Sequence, residues 1–464
     1  MFKVYPYLEH LIIKNNLFLE TGLLGVKMKA THYRYLITFM VLIIMILNYI
    51  DRGALAYAQE EIIAEYNLTA TQWGSILGFF GYGYIFGGLF GGILADRRGP
   101  RFVWRTFISL WSIFVILTAF AGDIGVAIFS GSAMIGFFLV RIVVGFAEGP
   151  SFVSMSRTLA NWVPPKERTF TSSITLIGTP LGSLITAPIA VFMLSATNWR
   201  VTVILLGILG LIWLIIFMRI FTNTPEENQK VNFVELKKIR EDTDFVADSN
   251  NNTDKGHWRD FFKNSSYLYN TAGFFGISYV IFMLLTWTPK YLQDVYGMSL
   301  SSLWYLGMIP WIGPLFTTPL GGRIADMIFV RTGNLRLARN SVASVSLLLS
   351  GVCFILIPQT NTMAGALTLM ALGNSAALAS NSIYWSNLID IDPSRTGTCG
   401  GVMHFLGQIA SMAAPTFTGI LVSSYGYNAG FMVAGIICLV AMLCTSQVRF
   451  EKSKQLEKIV VRAK

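Results

Sequence analysis

Apolar stretches of twenty or so residues recur along the whole of this chain. They lie at 35–56, 73–95, 102–121, 126–154, 169–193, 200–221, 268–292, 302–325, 338–357, 363–389, 397–423 and 428–448. As helices rising about 1.5 Å per residue, each is long enough to cross about 30 Å of hydrocarbon. A lipid interior offers backbone groups no partners, so only helices and closed barrels span it. The runs are continuous and do not alternate, which excludes a barrel. Composition agrees: 53% of residues are hydrophobic and 13% charged, against about 25% charged in soluble domains. The 42 glycines suit close helix contact where no water drives apolar association. The expected fold is an all-α membrane protein with twelve transmembrane helices in two pseudo-symmetric six-helix bundles.

The formal charge of +10 is distributed by loop, which argues for topology rather than for nucleic-acid binding. Arg97, Arg98, Arg101 and Arg105 follow the second stretch, Lys166 and Arg168 the fourth, and Lys230, Lys237, Lys238 and Arg240 the sixth. The loop at 57–72 instead carries Glu60, Glu61 and Glu65 with no Lys or Arg. By the positive-inside rule both termini are cytoplasmic, which places a multi-pass protein in the cell's inner (plasma) membrane. The expected divisions are an N-terminal extension at 1–34, a bundle at 35–221, a polar linker at 222–267, a second bundle at 268–448 and a tail at 449–464. The extension has no small-residue cleavage site, so a cleaved leader is not expected. Cys353, Cys399, Cys438 and Cys444 show no paired spacing and read as packing residues. No metal site or cofactor is expected.

The two halves echo each other at GGILADRRGPR (91–101) and GGRIADMIFVR (321–331). The first copy resembles the loop motif of the major facilitator superfamily, through Gly91, Asp96, Arg97, Gly99 and Arg101. The resemblance implies a gating role for these residues and for Asp326 of the second copy. Duplicated six-helix halves are also the organisation of a transporter with a midplane site between them.

A charge in hydrocarbon costs at least about 2.5 kcal/mol on insertion scales, so an ionisable residue within a span is a functional candidate. Asp51 and Arg52 lie in the first stretch, Arg141 and Glu148 in the fourth. Arg141 and Glu148, seven residues apart, share a helix face, whereas Asp51 and Arg52 diverge by about 100°. One of that pair can therefore meet a partner helix while the other faces a cavity. A second reading is a buried network that only neutralises itself and fixes packing.

NYIDRGALAYA (48–58), RIVVGFAEGPSF (141–152), NWVPPKER (161–168) and LLTWTPKYL (284–292) resemble the anion:cation symporter branch of the superfamily. That branch includes galactonate, glucarate and hexuronate transporters, sialin and the vesicular glutamate transporters. The resemblance implies the major facilitator fold and proton-coupled symport of a small organic anion by a monomer in membrane lipid. It implies that Asp51 and Glu148 handle protons, that Arg141 pairs with these acids, and that Arg52 binds the substrate carboxylate. Tyr49 and Tyr84 match cavity-lining aromatics. Guanidinium suits the assigned task, since its fork of donors matches a carboxylate and never deprotonates.

In the tenth stretch Asn374, Asn381, Ser382 and Trp385 form a stripe on one helical face, able to read hydroxyls and cover a carbon face of a sugar acid or to bond between helices. Ser382 and Trp385 match substrate-contacting positions of the galactonate-type members. Two positions depart from them: Thr179 stands for a Gln, and His404 for an Asn. His404 reads as a substrate donor, a titrating group or a packed neutral histidine. Two alternatives stand beside the symporter: an antiporter exporting amphipathic compounds, with GTPLG at 178–182 as its loose signature, and a nutrient sensor. The lack of any HExxH or GxSxG motif in the spans, and their single histidine, argue against an intramembrane hydrolase or transferase.

Overall fold

The computed structural model describes residues 29–129, 131–240, 258–391 and 396–450. Most of the expected extension, the middle of the linker and the tail from 451 lie outside the described residues. Among the described residues all regular structure is helical, and eleven helices are long and apolar enough to cross a membrane. Spans one to six are Tyr33–Tyr57, Ala70–Arg98, Pro100–Thr118, the pair Ala133–Glu148 and Ser151–Trp162, the pair Pro165–Leu176 and Gly178–Ala196, and Trp199–Ile220. In the second half the seventh is Ser265–Tyr296 and the ninth Leu335–Leu356. The tenth is the pair Met363–Ala379 and Asn381–Ile391, the eleventh the pair Thr396–Gly407 and Ile409–Tyr425, and the twelfth Tyr427–Ser446.

The eighth crossing, expected at 302–325, is present in pieces: Leu303–Leu306, Ile309–Ile312 and Pro314–Thr332. Gly307, Pro310, Gly313 and Pro314 interrupt it, because proline removes a donor and clashes with the preceding turn. The fourth span starts later than the expected 126, at Ala133. Ala121–Ile128 is a separate short helix, and the turn between them passes through Gly131 at φ +87°, a backbone region that glycine enters freely.

Helix contact relies on missing side chains. A Cβ on Gly83 would stand 1.8 Å from the Ile142 carbonyl oxygen, and one on Gly145 1.9 Å from that of Phe80, so spans two and four touch backbone to backbone. The repeated loop does the same in both halves. Gly91 backs onto Pro150 and Gly92 onto Val153, while Gly321 backs onto Ala379 and Gly322 onto Ser382.

Contacts between the halves concentrate toward the end opposite the termini. There Thr71 Oγ1 of the second span meets Ser423 Oγ of the eleventh at 2.8 Å, and Gln59 Nε2 donates to Gln293 Oε1 at 2.5 Å. Gly74 and Gly419 pack face to face between those spans. On the side of the termini, the linker supplies a short helix, Phe233–Arg240, that caps the first span. Its wholly buried Glu235 accepts from the backbone N–H groups of Tyr33 and Arg34 at 2.9 and 3.0 Å and from Arg34 Nη1 at 3.2 Å. A carboxylate at a helix N-terminus satisfies orphan donors and complements the helix dipole. Arg34 in turn donates to Glu167 at the start of the fifth span, at 2.9 Å.

Candidate substrate and proton site

Asp51 and Arg52 diverge as neighbours on a helix must. Asp51 Oδ2 accepts from Trp111 Nε1 of the third span at 2.7 Å. Arg52 turns to the fourth span, where Nη2 donates to Glu148 Oε2 at 3.0 Å, and also to Asn48 Oδ1, one turn back on its own helix, at 2.9 Å. Glu148 closes its helical segment just before Gly149 and Pro150 break the span. The guanidinium carbon of Arg52 lies 4.4 Å from the ring centroid of Phe80, 4.6 Å from that of Tyr84 and 4.8 Å from that of Tyr49. Ring faces attract a desolvated cation.

Several polar atoms in this nest have no hydrogen-bond partner: Arg52 Nε and Nη1, Arg141 Nε, Glu148 Oε1 and the Tyr84 hydroxyl. Buried polar atoms in folded proteins are almost always paired. Two free guanidinium donors on one buried, immobilised side chain can accept a carboxylate. Arg141 is near enough to Glu148 for the two charges to attract, as the resemblance implies, but it makes no direct ion pair with that acid. Its guanidinium lies 5.2 Å over Phe80, and the ion pair of Glu148 is with Arg52. The reason is reach: Asn48, Arg52 and Glu148 meet between spans one and four, while Arg141 sits two turns away behind the Phe80 ring.

A cavity lies between the halves. Tyr49, Thr179, Asn381, Trp385 and His404 line it, together with Gln408. Arg52 stands one aromatic layer behind its wall, roofed by Tyr49 and by Phe282, whose centroid is 5.4 Å away. Tyr84 is buried beside it and faces His404 across 6.1 Å between rings. The stripe expected on the tenth span is split, because the helix breaks between Ala379 and Asn381. Asn381 and Trp385 reach the cavity, Ser382 is set against Gly322 of the eighth span, and Asn374 Nδ2 donates to the Pro310 carbonyl at 2.8 Å. Asn374 thus satisfies a carbonyl exposed by the broken eighth span.

This architecture has a counterpart among known proteins. The Major Facilitator Superfamily family model matches residues 41–415 and 332–461. The chain belongs to that superfamily. It is 31% identical over 402 residues to the hexuronate transporter of Bacillus subtilis (strain 168), covering 86% of this chain and 90% of that protein. It is 30% identical over 418 residues to a probable sulfoacetate transporter of Cupriavidus necator, covering 89% of this chain and 93% of the other. The fold is that of a bacterial homologue of the human lysosomal transporter Spinster in an inward-facing, occupied conformation, with a TM-score of 0.70 at 17% identity and coverage of 91% of this chain and 99% of that one. The protein is a multi-pass membrane transporter, and its relatives are transporters, not enzymes.

Of the superfamily's loop motif, Gly91 makes the close contact with Pro150 described above. Gly99, at φ +79°, leaves no room for a side chain beside Asn223. Arg101 Nη2 donates to the Met218 carbonyl at 2.9 Å, and its backbone N–H donates to Asn223 Oδ1, tying the loop to the end of the sixth span. Arg97 and Asp326 are exposed, and the side chain of Asp96 lies outside the described part of the chain. Sequence reasoning missed Asn48, Trp111, Phe282 and Gln408. Asn48 and Gln408 carried a signal, each one turn from a residue already singled out. For Trp111 and Phe282 there was none.

Proposed function

We propose that the protein carries a small organic anion, a sugar acid or related carboxylate, together with protons by alternating access. Arg52 carries this reading: it is buried, held by Glu148, and has two guanidinium donors without partners. The relatives' names share one chemical element, since a hexuronate and sulfoacetate differ in size and hydroxylation but both bear a carboxylate. An anion reaching Arg52 past Tyr49 and Phe282 competes with Glu148 for the guanidinium. A proton on Glu148 removes that competition, so substrate and proton favour each other's binding. The site lies between two halves of one chain, consistent with work as a monomer. The basic loops at the terminal side favour a cytoplasmic position for both termini, in the plasma membrane.

The test uses purified protein in proteoliposomes, with radiolabelled glucuronate and gluconate outside. An imposed inward proton gradient should drive accumulation above the equilibrium level, and a protonophore should abolish it. Uptake indifferent to the gradient would remove the proton, and a carrier that takes only neutral or cationic compounds would remove the anion.

A further inference from the structure

The cavity between the halves is electrically one-sided. The cations nearest it belong to the first half: Arg52 lies directly behind the lining rings of Tyr49 and Phe282, and Arg141 farther off, over Phe80. Facing them, the second half contributes Ser278, Asn381, His404 and Gln408, and among the described residues the wall carries no Lys or Arg. His404 and Gln408 are one turn apart where the eleventh span breaks, and the Gln408 backbone N–H donates to the His404 carbonyl at 2.8 Å. Gln408 is 8% exposed, and its side-chain Oε1 has no hydrogen-bond partner. A buried amide with free capacity, lining a cavity whose wall also includes the rings of Phe152, Phe274 and Trp385, is a ligand-reading group whichever way the amide is turned. It is also neutral. A hydroxyl can donate to its oxygen or accept from its nitrogen. A second carboxylate there would be stripped of water by the surrounding rings and given no counter-charge, which is costly.

We infer that this site selects monocarboxylates whose far end carries uncharged hydroxyls, that Gln408 and His404 read that end, and that sugar dicarboxylates are rejected. The inference rests on the proposed anion site at Arg52 and narrows its substrate class.

Gluconate and glucarate share a carbon chain and its hydroxyls and differ only in a terminal hydroxymethyl group against a second carboxylate. Calorimetry on the purified full chain should be run with both, and with glucuronate, at about pH 8, where an ordinary imidazole is neutral. The monocarboxylates should bind about tenfold or more tightly than glucarate. Gln408→Arg should supply the missing counter-charge and erase or invert that preference. Gln408→Glu, matched in shape, should widen it. Glucarate binding as tightly as gluconate to the parent protein overturns the inference without recourse to any variant. If that equal binding is lost in Arg52→Lys, the anion site stands and only the selection falls. If none of the three binds, or binding ignores Arg52, the anion site and the inference fall together.

Discussion

At the scale of single residues, the first span divides two charges between two partners. Asp51 is held by an indole N–H and Arg52 by a carboxylate, so replacing either disturbs a different helix contact. Arg52→Lys keeps the charge but loses the fork. Charge-assisted hydrogen bonds worth about 1.5 to 3 kcal/mol are at stake, so substrate affinity should fall roughly ten- to hundredfold in calorimetry. Unchanged affinity would take Arg52 out of the site. Glu148→Gln imitates the protonated acid permanently. This variant should bind substrate at least as tightly as the parent, because no carboxylate competes for the guanidinium. Net uptake driven by a pH gradient should nevertheless fail, since about 1.4 kcal/mol per proton per pH unit can no longer be harnessed. Exchange of internal for external substrate should survive. Parental accumulation by Glu148→Gln would make this acid structural.

At the scale of elements, the linker helix Phe233–Arg240 behaves as a cap on the first span. Glu235→Ala would strand two backbone N–H groups and one prong of Arg34. Breaking a buried pair in this way costs about 3 to 5 kcal/mol, so thermal unfolding in detergent should move clearly downward, while a substitution at exposed Arg97 should not move it. Glu167 extends the same clamp. Burial pushes its carboxyl upward, but hydrogen bonds from Arg34 and Lys238 outweigh this and hold it at about 2. A depressed value gives stability that is present above the unfolded carboxyl's value of about 4.3 and lost only as pH falls through the folded one. The difference in melting temperature between the parent and Glu167→Gln should therefore be flat from about pH 8 to about pH 5 and shrink below that. A difference that vanished near neutrality would contradict the clamp. The twelve crossings were legible because lipid forces long continuous apolar runs, whereas the eighth was read as one stretch at 302–325 and its break missed, although Gly307, Pro310, Gly313 and Pro314 carried the signal. The linker helix had a local signal too, since Asn232 caps it by accepting from the Glu235 N–H at 3.0 Å. What Glu235 grips lies about two hundred residues away in sequence, and no local pattern encodes that. The site shows the same limit. Its charged members were legible from their cost in lipid, but the choice of Arg52 over Arg141 as partner of Glu148 depends on how spans one and four cross. The stripe read on the tenth span divides at the turn after Ala379: Asn381 and Trp385 reach the cavity, and Asn374 takes the other role read for it, a bond between helices, because a helical period holds only within an unbroken helix.

At the scale of the whole molecule, the two halves meet most closely at the end opposite the termini, where small residues let the second and eleventh spans touch. Alternating access requires that this contact open once per cycle, since the central cavity must face each side in turn. Thr71 and Ser423 offer a direct test. Their hydroxyl oxygens are 2.8 Å apart, across the two halves and exposed to solvent, so sulfurs in their places are within easy reach of a disulfide of about 2.05 Å after a small rotation. Thr71→Cys combined with Ser423→Cys should cross-link under mild oxidant, and the linked protein should still bind substrate, because the cavity beneath is untouched. Both uptake and exchange should stop, and a reductant should restore them. The single-cysteine variants, which carry the same native cysteines, should keep transporting under oxidant. Full cross-linking with transport at the parental rate would show that the halves never part at this end, and the path to the cavity would then have to run elsewhere between the spans.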